Sequence, residues 1–153
     1  MNAIELLKND HDKVESIFEK LEPTTERAVK TREELFTQLK QELDVHAHIE
    51  EKIFYPAIKD AAATRAITFE GYEEHHVVKI LLGELAAMPV DTEQWTAKLK
   101  VLKENVEHHV EEEEDEMFVS ARKVLDKAQI EELGARMEAE KKNQLSKAAA
   151  AKS

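Results

Sequence analysis

Apolar residues in this chain recur at steps of three and four, the spacing of one face of a helix. Between Asn2 and Leu21 the stripe is Ile4, Leu7, His11, Val14, Phe18 and Leu21, and Asn2 with Glu5 makes a capping-box pattern at its start. Glu22-Pro23-Thr24 breaks it. A second stripe, Phe36, Leu39, Leu43, His46, Glu50, Ile53 and Ala57, predicts a helix that starts between Thr24 and Thr31 and runs to about Tyr55. Pro56 has no N–H to donate and is expected to end it. The stretch from Ala57 to about Thr68 is alanine-rich and weakly patterned, a connection with a short helical turn at most. Gly71, His75, Val78, Leu82 and Leu85 predict a third helix over 69–87, ended by Met88-Pro89-Val90. Asp91 with Gln94 is the expected cap of a fourth helix, whose stripe is Trp95, Leu99, Leu102, Val106, His109, Glu113 and Met117 and which runs to about Leu125. Beyond Asp126 a helix-prone segment carries a thin apolar face, Ile130, Leu133 and Met137, and the end from Ser146 to Ser153 is expected to fray or be disordered.

Four long amphipathic helices joined by short breaks predict an all-α protein, an antiparallel up-and-down four-helix bundle over residues 1–125. Residues 126–153 form an additional C-terminal helical tail. The chain also repeats itself. His11 and His46 are 35 residues apart, and His75 and His109 are 34 apart. The segment His46-x-x-x-Glu50-Glu51, followed by Phe54-Tyr55-Pro56, returns as His109-x-x-x-Glu113-Glu114, followed by Phe118. The second helix pair therefore reads as a copy of the first, about a two-fold axis along the bundle.

The stripes are interrupted by polar residues that an apolar core does not want. His11, His46, His75, His109, Glu50 and Glu113 lie on them, whereas His48, His76 and His108 fall outside. A lone histidine on such a stripe is ordinarily a satisfied core residue, but an unpaired buried carboxylate is costly. In an up-and-down bundle His11, His46 and His75 lie roughly 9–14 Å from one end, from the rise of ~1.5 Å per residue; the fourth helix overruns that end, and the four His and two Glu are expected to meet near one level of the core. Six nitrogen and oxygen donors, two of them carboxylates able to bridge, fit two metal ions better than one four-coordinate zinc. Without thiolate they suit iron or manganese. Glu51 and Glu114 sit at the margin of the stripe. Tyr55 lies nine residues after His46, about 180° around an ideal helix, and is expected to point away from the site. The pair Glu73-x-x-His76 lies off the stripe and carries little weight.

Composition narrows the partners. The 153 residues contain seven His and no Cys, so disulfides, thiolate nucleophiles and Cys-held clusters are excluded. A net charge of −11 disfavours nucleic acid and anionic membrane surfaces as partners. No apolar run reaches the ~18 residues of a membrane span, and the first residues lack a signal-peptide pattern. A cytoplasmic protein, monomeric or weakly homo-oligomeric, is expected.

With these residues in place, the chain resembles the hemerythrin family, and more closely its bacterial HHE cation-binding branch. The resemblance covers about residues 3 to 125 and rests on His11, on His46-x-x-x-Glu50-Glu51 with Phe54-Tyr55-Pro56, on Glu74-His75, and on His109-x-x-x-Glu113-Glu114 with Phe118. It implies a non-haem di-iron centre, with Glu50 and Glu113 bridging the irons, an oxo or hydroxo group as a further bridge, and His11, His46, His75 and His109 completing the protein ligands. It implies a small diatomic or peroxide ligand: dioxygen, hydrogen peroxide or nitric oxide. A non-catalytic iron-binding or iron- and oxygen-sensing module is the alternative. The chain departs from the oxygen carriers of the family in three places. Lys79 replaces the second histidine of their third-helix pair, Glu113 and Glu114 stand where they have an aspartate five residues after the histidine, and Val119 replaces a proline. The first departure leaves a position open on the site and favours peroxide consumption over a stable oxygen adduct; the second keeps Glu114 as a further candidate ligand.

Overall fold

Asn2 opens the first helix of the computed structural model, which describes residues 1–152. Its side chain accepts from the N–H of Glu5 at 2.9 Å, and Glu5 reaches back to the N–H of Asn2 at 3.3 Å. The helices are α1 (Ala3–Leu21), α2 (Val29–Ile49), α3 (Tyr55–Ile58), α4 (Arg65–Ala86), α5 (Glu93–Glu112), α6 (Phe118–Val124) and α7 (Lys127–Lys152). No strand occurs among the described residues. The all-helical bundle expected from the stripes is present: α1 packs on α2, α4 packs on α5, and the two hairpins face each other across the core.

Two π-helical turns separate elements that the apolar pattern ran together. Glu50–Phe54 joins α2 to α3, and Glu113–Met117 joins α5 to α6. In each the N–H that closes the turn, from Tyr55 or Phe118, reaches the carbonyl five residues back, at Glu50 or Glu113. One extra residue in a turn swings everything beyond it by about 100° around the helix. Ala57, predicted inward, is therefore exposed, while Tyr55 and Ile58 are fully buried. Pro56 does not stop the chain. It follows the π turn directly and occupies the first turn of α3, where a missing N–H is tolerated.

Other boundaries moved for local reasons. The cap of α5 is Thr92, which accepts from the N–H of Trp95 at 3.2 Å, and not Asp91. The helix α4 begins at Arg65, four residues before the predicted start. The far end of the bundle is closed by Arg32, 2% exposed, which donates to Thr24 Oγ1 and O, Val90 O and Thr96 Oγ1 and lies over Trp95 at 4.9 Å. One guanidinium thus ties the α1–α2 and α4–α5 connections together.

The tail is a docked fifth helix. Ile130, Leu133 and Met137 are buried in one cluster with Ile4, Leu7, Phe54 and Phe118. Gly134 permits the contact, since a Cβ there would stand 2.6 Å from the backbone carbon of Asn2 and 2.7 Å from the nitrogen of Ala3. The helix continues through the alanine-rich stretch from Ser146 to Lys152, where fraying was the expectation. Ser153, the last residue of that stretch, lies outside the described residues. No helix among the described residues is long and apolar enough to cross a membrane.

Candidate metal centre

The six polar residues predicted to face inward all do so. Glu50 and Glu113 are 0% exposed, and His11, His46, His75 and His109 are buried. Each Glu lies one turn after a His on the same helix face, and each closes that helix just as its π turn begins. Their donor atoms form two groups. One is His11, His46, Glu50 and Glu113; the other is Glu50, His75, His109 and Glu113; within each group all the ligating atoms lie within 4.8 Å of one another. The two carboxylates belong to both.

The groups are near copies. The rings of His11 and His46 lie 4.9 Å apart at 64°, those of His75 and His109 4.8 Å apart at 63°. Each Nε2 faces a carboxylate of the centre: His11 to Glu113 at 3.0 Å, His46 to Glu50 at 3.2 Å, His75 to Glu50 at 3.0 Å, His109 to Glu113 at 3.3 Å. Each Nδ1 faces outward to a different carboxylate: Glu114 for His11 at 2.7 Å, Asp10 for His46 at 2.9 Å, Glu51 for His75 at 2.9 Å, Glu74 for His109 at 2.6 Å. A carboxylate only accepts, so each Nδ1–H donates outward, and Nε2 is the nitrogen each ring turns to the centre, where a cation would take its lone pair in place of a proton.

That arrangement also reads out the marginal residues. Glu51 and Glu114 orient histidines from outside, with side chains 42% and 33% exposed. Glu114 is placed on the outer nitrogen of His11, away from both donor groups. His76 is exposed, His108 is 64% exposed and pairs with Glu112 at 2.9 Å, and His48 pairs with Glu140 at 3.0 Å.

Tyr55 is the residue that sequence reasoning sent the wrong way. The π turn carries it into the centre, where its hydroxyl donates to Glu113 Oε2 at 2.6 Å and lies 3.3 Å from His75 Nε2, 3.4 Å from His109 Nε2 and 3.5 Å from Glu50 Oε1. Its ring stacks on His75 at 5.3 Å. Gly71, one turn before His75, makes the room: a Cβ there would meet the Tyr55 hydroxyl at 2.8 Å. The matching position in the second copy is Phe118, which stacks on His11 at 6.0 Å and has no hydroxyl. The signal was available, because Ile53, Phe54 and Tyr55 are three consecutive large apolar residues, and one face of an α-helix does not hold all three.

The electrostatics are those of a donor cluster. Burial works against the charged form of His46, but the charge of Glu50 close to Nε2, the hydrogen bond to Asp10 and the nearby Glu113 carboxylate outweigh it and hold the ring well above the usual histidine range. His109 is raised in the same way by Glu113 and Glu74, and His75 by Glu50 and Glu51. Burial pushes Glu113 up, yet the charge of His109 beside it and the hydrogen bond from His11 bring it well below the usual carboxylate range. Burial, and then the negative charges of Glu113 and Glu50, push the Tyr55 phenol well up.

The donor set fits a pair of cations. His46 Nε2 is buried, lies out of line for a hydrogen bond to Glu50 despite the 3.2 Å approach, and has no other partner; Glu50 Oε2 is likewise buried and unpaired. Buried polar atoms without partners are rare and costly unless something else binds them. A groove of about 1460 Å³ between α2 and α4 leads from the surface to the four histidines, with Phe36, Leu43, Val78 and Leu82 on its walls and the exposed Lys79 on its rim.

Comparison with known proteins agrees with this geometry. The family described as Hemerythrin HHE cation binding domain matches residues 2–121. The chain is 28% identical over 141 residues to a DNA nickase of Nostoc sp., a match that covers 92% of this chain and 39% of that protein, so the chain spans about two fifths of that relative. It is 31% identical over 140 residues to an uncharacterized protein of Mycobacterium tuberculosis, covering 91% of this chain and 84% of the other. A crystal structure of a Hemerythrin HHE cation binding domain-containing protein from Mycobacterium kansasii superposes with a TM-score of 0.84 at 29% identity, over 97% of this chain and 90% of that one. With its bundle, its two repeated His-x-x-x-Glu segments and a family match over nearly its whole length, the chain belongs to the hemerythrin HHE cation-binding domain family.

Proposed function

We propose that the chain is a non-haem di-iron protein whose metal pair reacts with dioxygen, hydrogen peroxide or nitric oxide. The observation that carries this reading is the pair of overlapping donor groups that share Glu50 and Glu113. A carboxylate has two oxygens, so two shared carboxylates are what two adjacent cations require. His11 and His46 would hold one ion, His75 and His109 the other, and Tyr55 stands beside the second pair as a further oxygen donor. Nitrogen and oxygen donors without sulfur favour iron over softer metals. Bound iron would supply one-electron chemistry and positions for a small incoming molecule. The protein's own part is to fix the four imidazoles through their outer carboxylates and to leave a largely apolar groove by which a small uncharged molecule can enter.

The position that Lys79 leaves open is not a plain vacancy in this reading, because the Tyr55 hydroxyl reaches the same pair of histidines. The half of the centre lined by His11, His46 and Phe118 has no such group, and it is the half offered to an incoming ligand. The nickase activity named for the Nostoc relative is not taken over: the match covers 39% of that protein, and a net charge of −11 repels a phosphate backbone.

The test is metal analysis and reactivity of protein purified after expression with iron. We expect about two irons per chain from the two donor groups, loss of added hydrogen peroxide, and rapid oxidation of the reduced protein in air. One tightly held zinc per chain with no iron uptake would overturn the reading. Two irons with no reaction toward peroxide, dioxygen or nitric oxide would leave a metal-binding module and refute the reactive one.

A further inference from the structure

Four carboxylates orient the four histidines, and one of them differs from the rest. Glu114, Glu51 and Glu74 have side chains 33%, 42% and 21% exposed, whereas that of Asp10 is 5% exposed. Asp10 is the residue before His11, so α1 sends one side chain into the centre and the next sideways to His46 on α2. Only one oxygen of Asp10, Oδ2, serves His46; the other, Oδ1, accepts from Lys141 Nζ.

Lys141 comes from α7. That helix is anchored by Ile130, Leu133 and Met137, and Lys141 lies one turn beyond Met137 on the same face. Its neighbour Glu140 accepts from Lys52 at 3.3 Å and lies 3.0 Å from His48 Nε2, so the same turn of α7 also grips the π turn after Glu50. A buried carboxylate held at one oxygen by a cation cannot rotate, and the oxygen it turns to His46 is thereby set. The equivalent carboxylate in the second half, Glu74, has no lysine clamp: beside His109 it meets Glu112 and the exposed His108, the latter at 3.8 Å.

We propose that Lys141 is a positioning residue for the His11–His46 half of the metal centre, acting through Asp10 on His46. The tail helix is then a working part of the site, and its two halves bind metal unequally. This rests on the metal-binding reading above. By fixing Asp10, Lys141 keeps the His46 Nδ1–H engaged and its Nε2 directed inward. Without Lys141 the carboxylate is free to turn, and the His11–His46 half loses part of its affinity while the His75–His109 half keeps its own.

The experiment is a calorimetric titration of metal-free protein with Fe²⁺ under anaerobic conditions. The parent should take up two equivalents. Lys141→Met should bind one equivalent as the parent does and the other about tenfold or more weakly, the usual effect of disturbing an outer partner of a metal-bound histidine. Lys141→Arg, which can make the same contact, should restore the second equivalent. Glu140→Gln weakens the grip of α7 on His48 and Lys52 but leaves Asp10 clamped, and should bind both equivalents like the parent. Unchanged binding by Lys141→Met would overturn the proposal with the metal-binding reading intact. So would an equal loss in Glu140→Gln, which would make the effect one of helix docking alone. A parent that binds no Fe²⁺ would overturn both.

Discussion

Stripped of metal, the bundle should become less stable as the pH rises through neutrality. His46, His75 and His109 are held above the ordinary histidine value of 6.5 by the carboxylates around them. A group whose folded value is raised binds more protons folded than unfolded between the two values. Its contribution is complete below about pH 6.5 and drains away as the pH climbs through the raised value. One such proton is worth about 1.4 kcal/mol per pH unit, and three give an upper limit of about 4 kcal/mol per unit. For a domain of this size one proton corresponds to a fall in Tm of about 3–6 °C per pH unit. Glu113 does not blur the window, because its value is depressed: its contribution is present above the ordinary 4.5 and is lost only as the pH falls below it. Metal reverses the picture. A metal ion takes the Nε2 lone pairs, expels those protons and ties four helices together, so holo protein should melt higher and lose the slope. Urea unfolding of chelator-treated protein at intervals from pH 6 to 9 measures the effect directly. Apo stability that is flat or rises between pH 6.5 and 8.5 would refute the account of these histidines as proton-holding in the absence of metal.

Two further outcomes follow from side-chain placement. His75→Ala should lose metal from its half of the centre, while His76→Ala, at an exposed position on the same helix, should match the parent in metal content and melting; equal loss in both would remove the case for the inward stripe of α4. Tyr55→Phe keeps the ring on His75 but removes the hydroxyl from Glu113, which should cost roughly 1–3 kcal/mol in the apo protein as a buried acceptor loses its donor and weaken binding of one of two metal ions. Two unchanged metal-binding steps would show that the phenol is a bystander.

The bundle was legible in the sequence because its helices are long and their stripes regular. The four histidines and two glutamates predicted to face inward were on their stripes, and the exclusion of His76 and His108 followed from one residue of register. Tyr55 was not legible by the same rule, because the rule assumes 3.6 residues in every turn and the chain inserts an extra one after Glu50. Ala57 was misplaced for the same reason. Asp10 and Glu74 were not legible as orienting groups because in sequence they are two among 33 Asp and Glu; only contact with an imidazole on another helix distinguishes them from the rest. The role of α7 escaped because a thin apolar face of Ile130, Leu133 and Met137 gives a weak periodic signal, and the contact at Gly134 is one of fit and not of pattern.

The repeat explains why the centre is built as two halves, and its breaks explain why they need not behave alike. Both halves use a His-x-x-x-Glu segment running into a π turn, and both seat an aromatic ring against the histidine of a neighbouring helix. That skeleton accounts for the matched ring geometry. The chain then departs from the repeat at two places that touch the centre. At one, Tyr55 puts an oxygen where Phe118 puts only carbon. At the other, Asp10 is buried and clamped by Lys141 where Glu74 is partly exposed and has no lysine on it. The first adds a donor to the His75–His109 half, and the second ties the His11–His46 half to the docking of α7. A symmetric pair of cations would need neither. The two halves are thus secured by different means, one by a phenol inside the centre and the other by a clamp from outside it, a difference that an unbroken repeat would not produce.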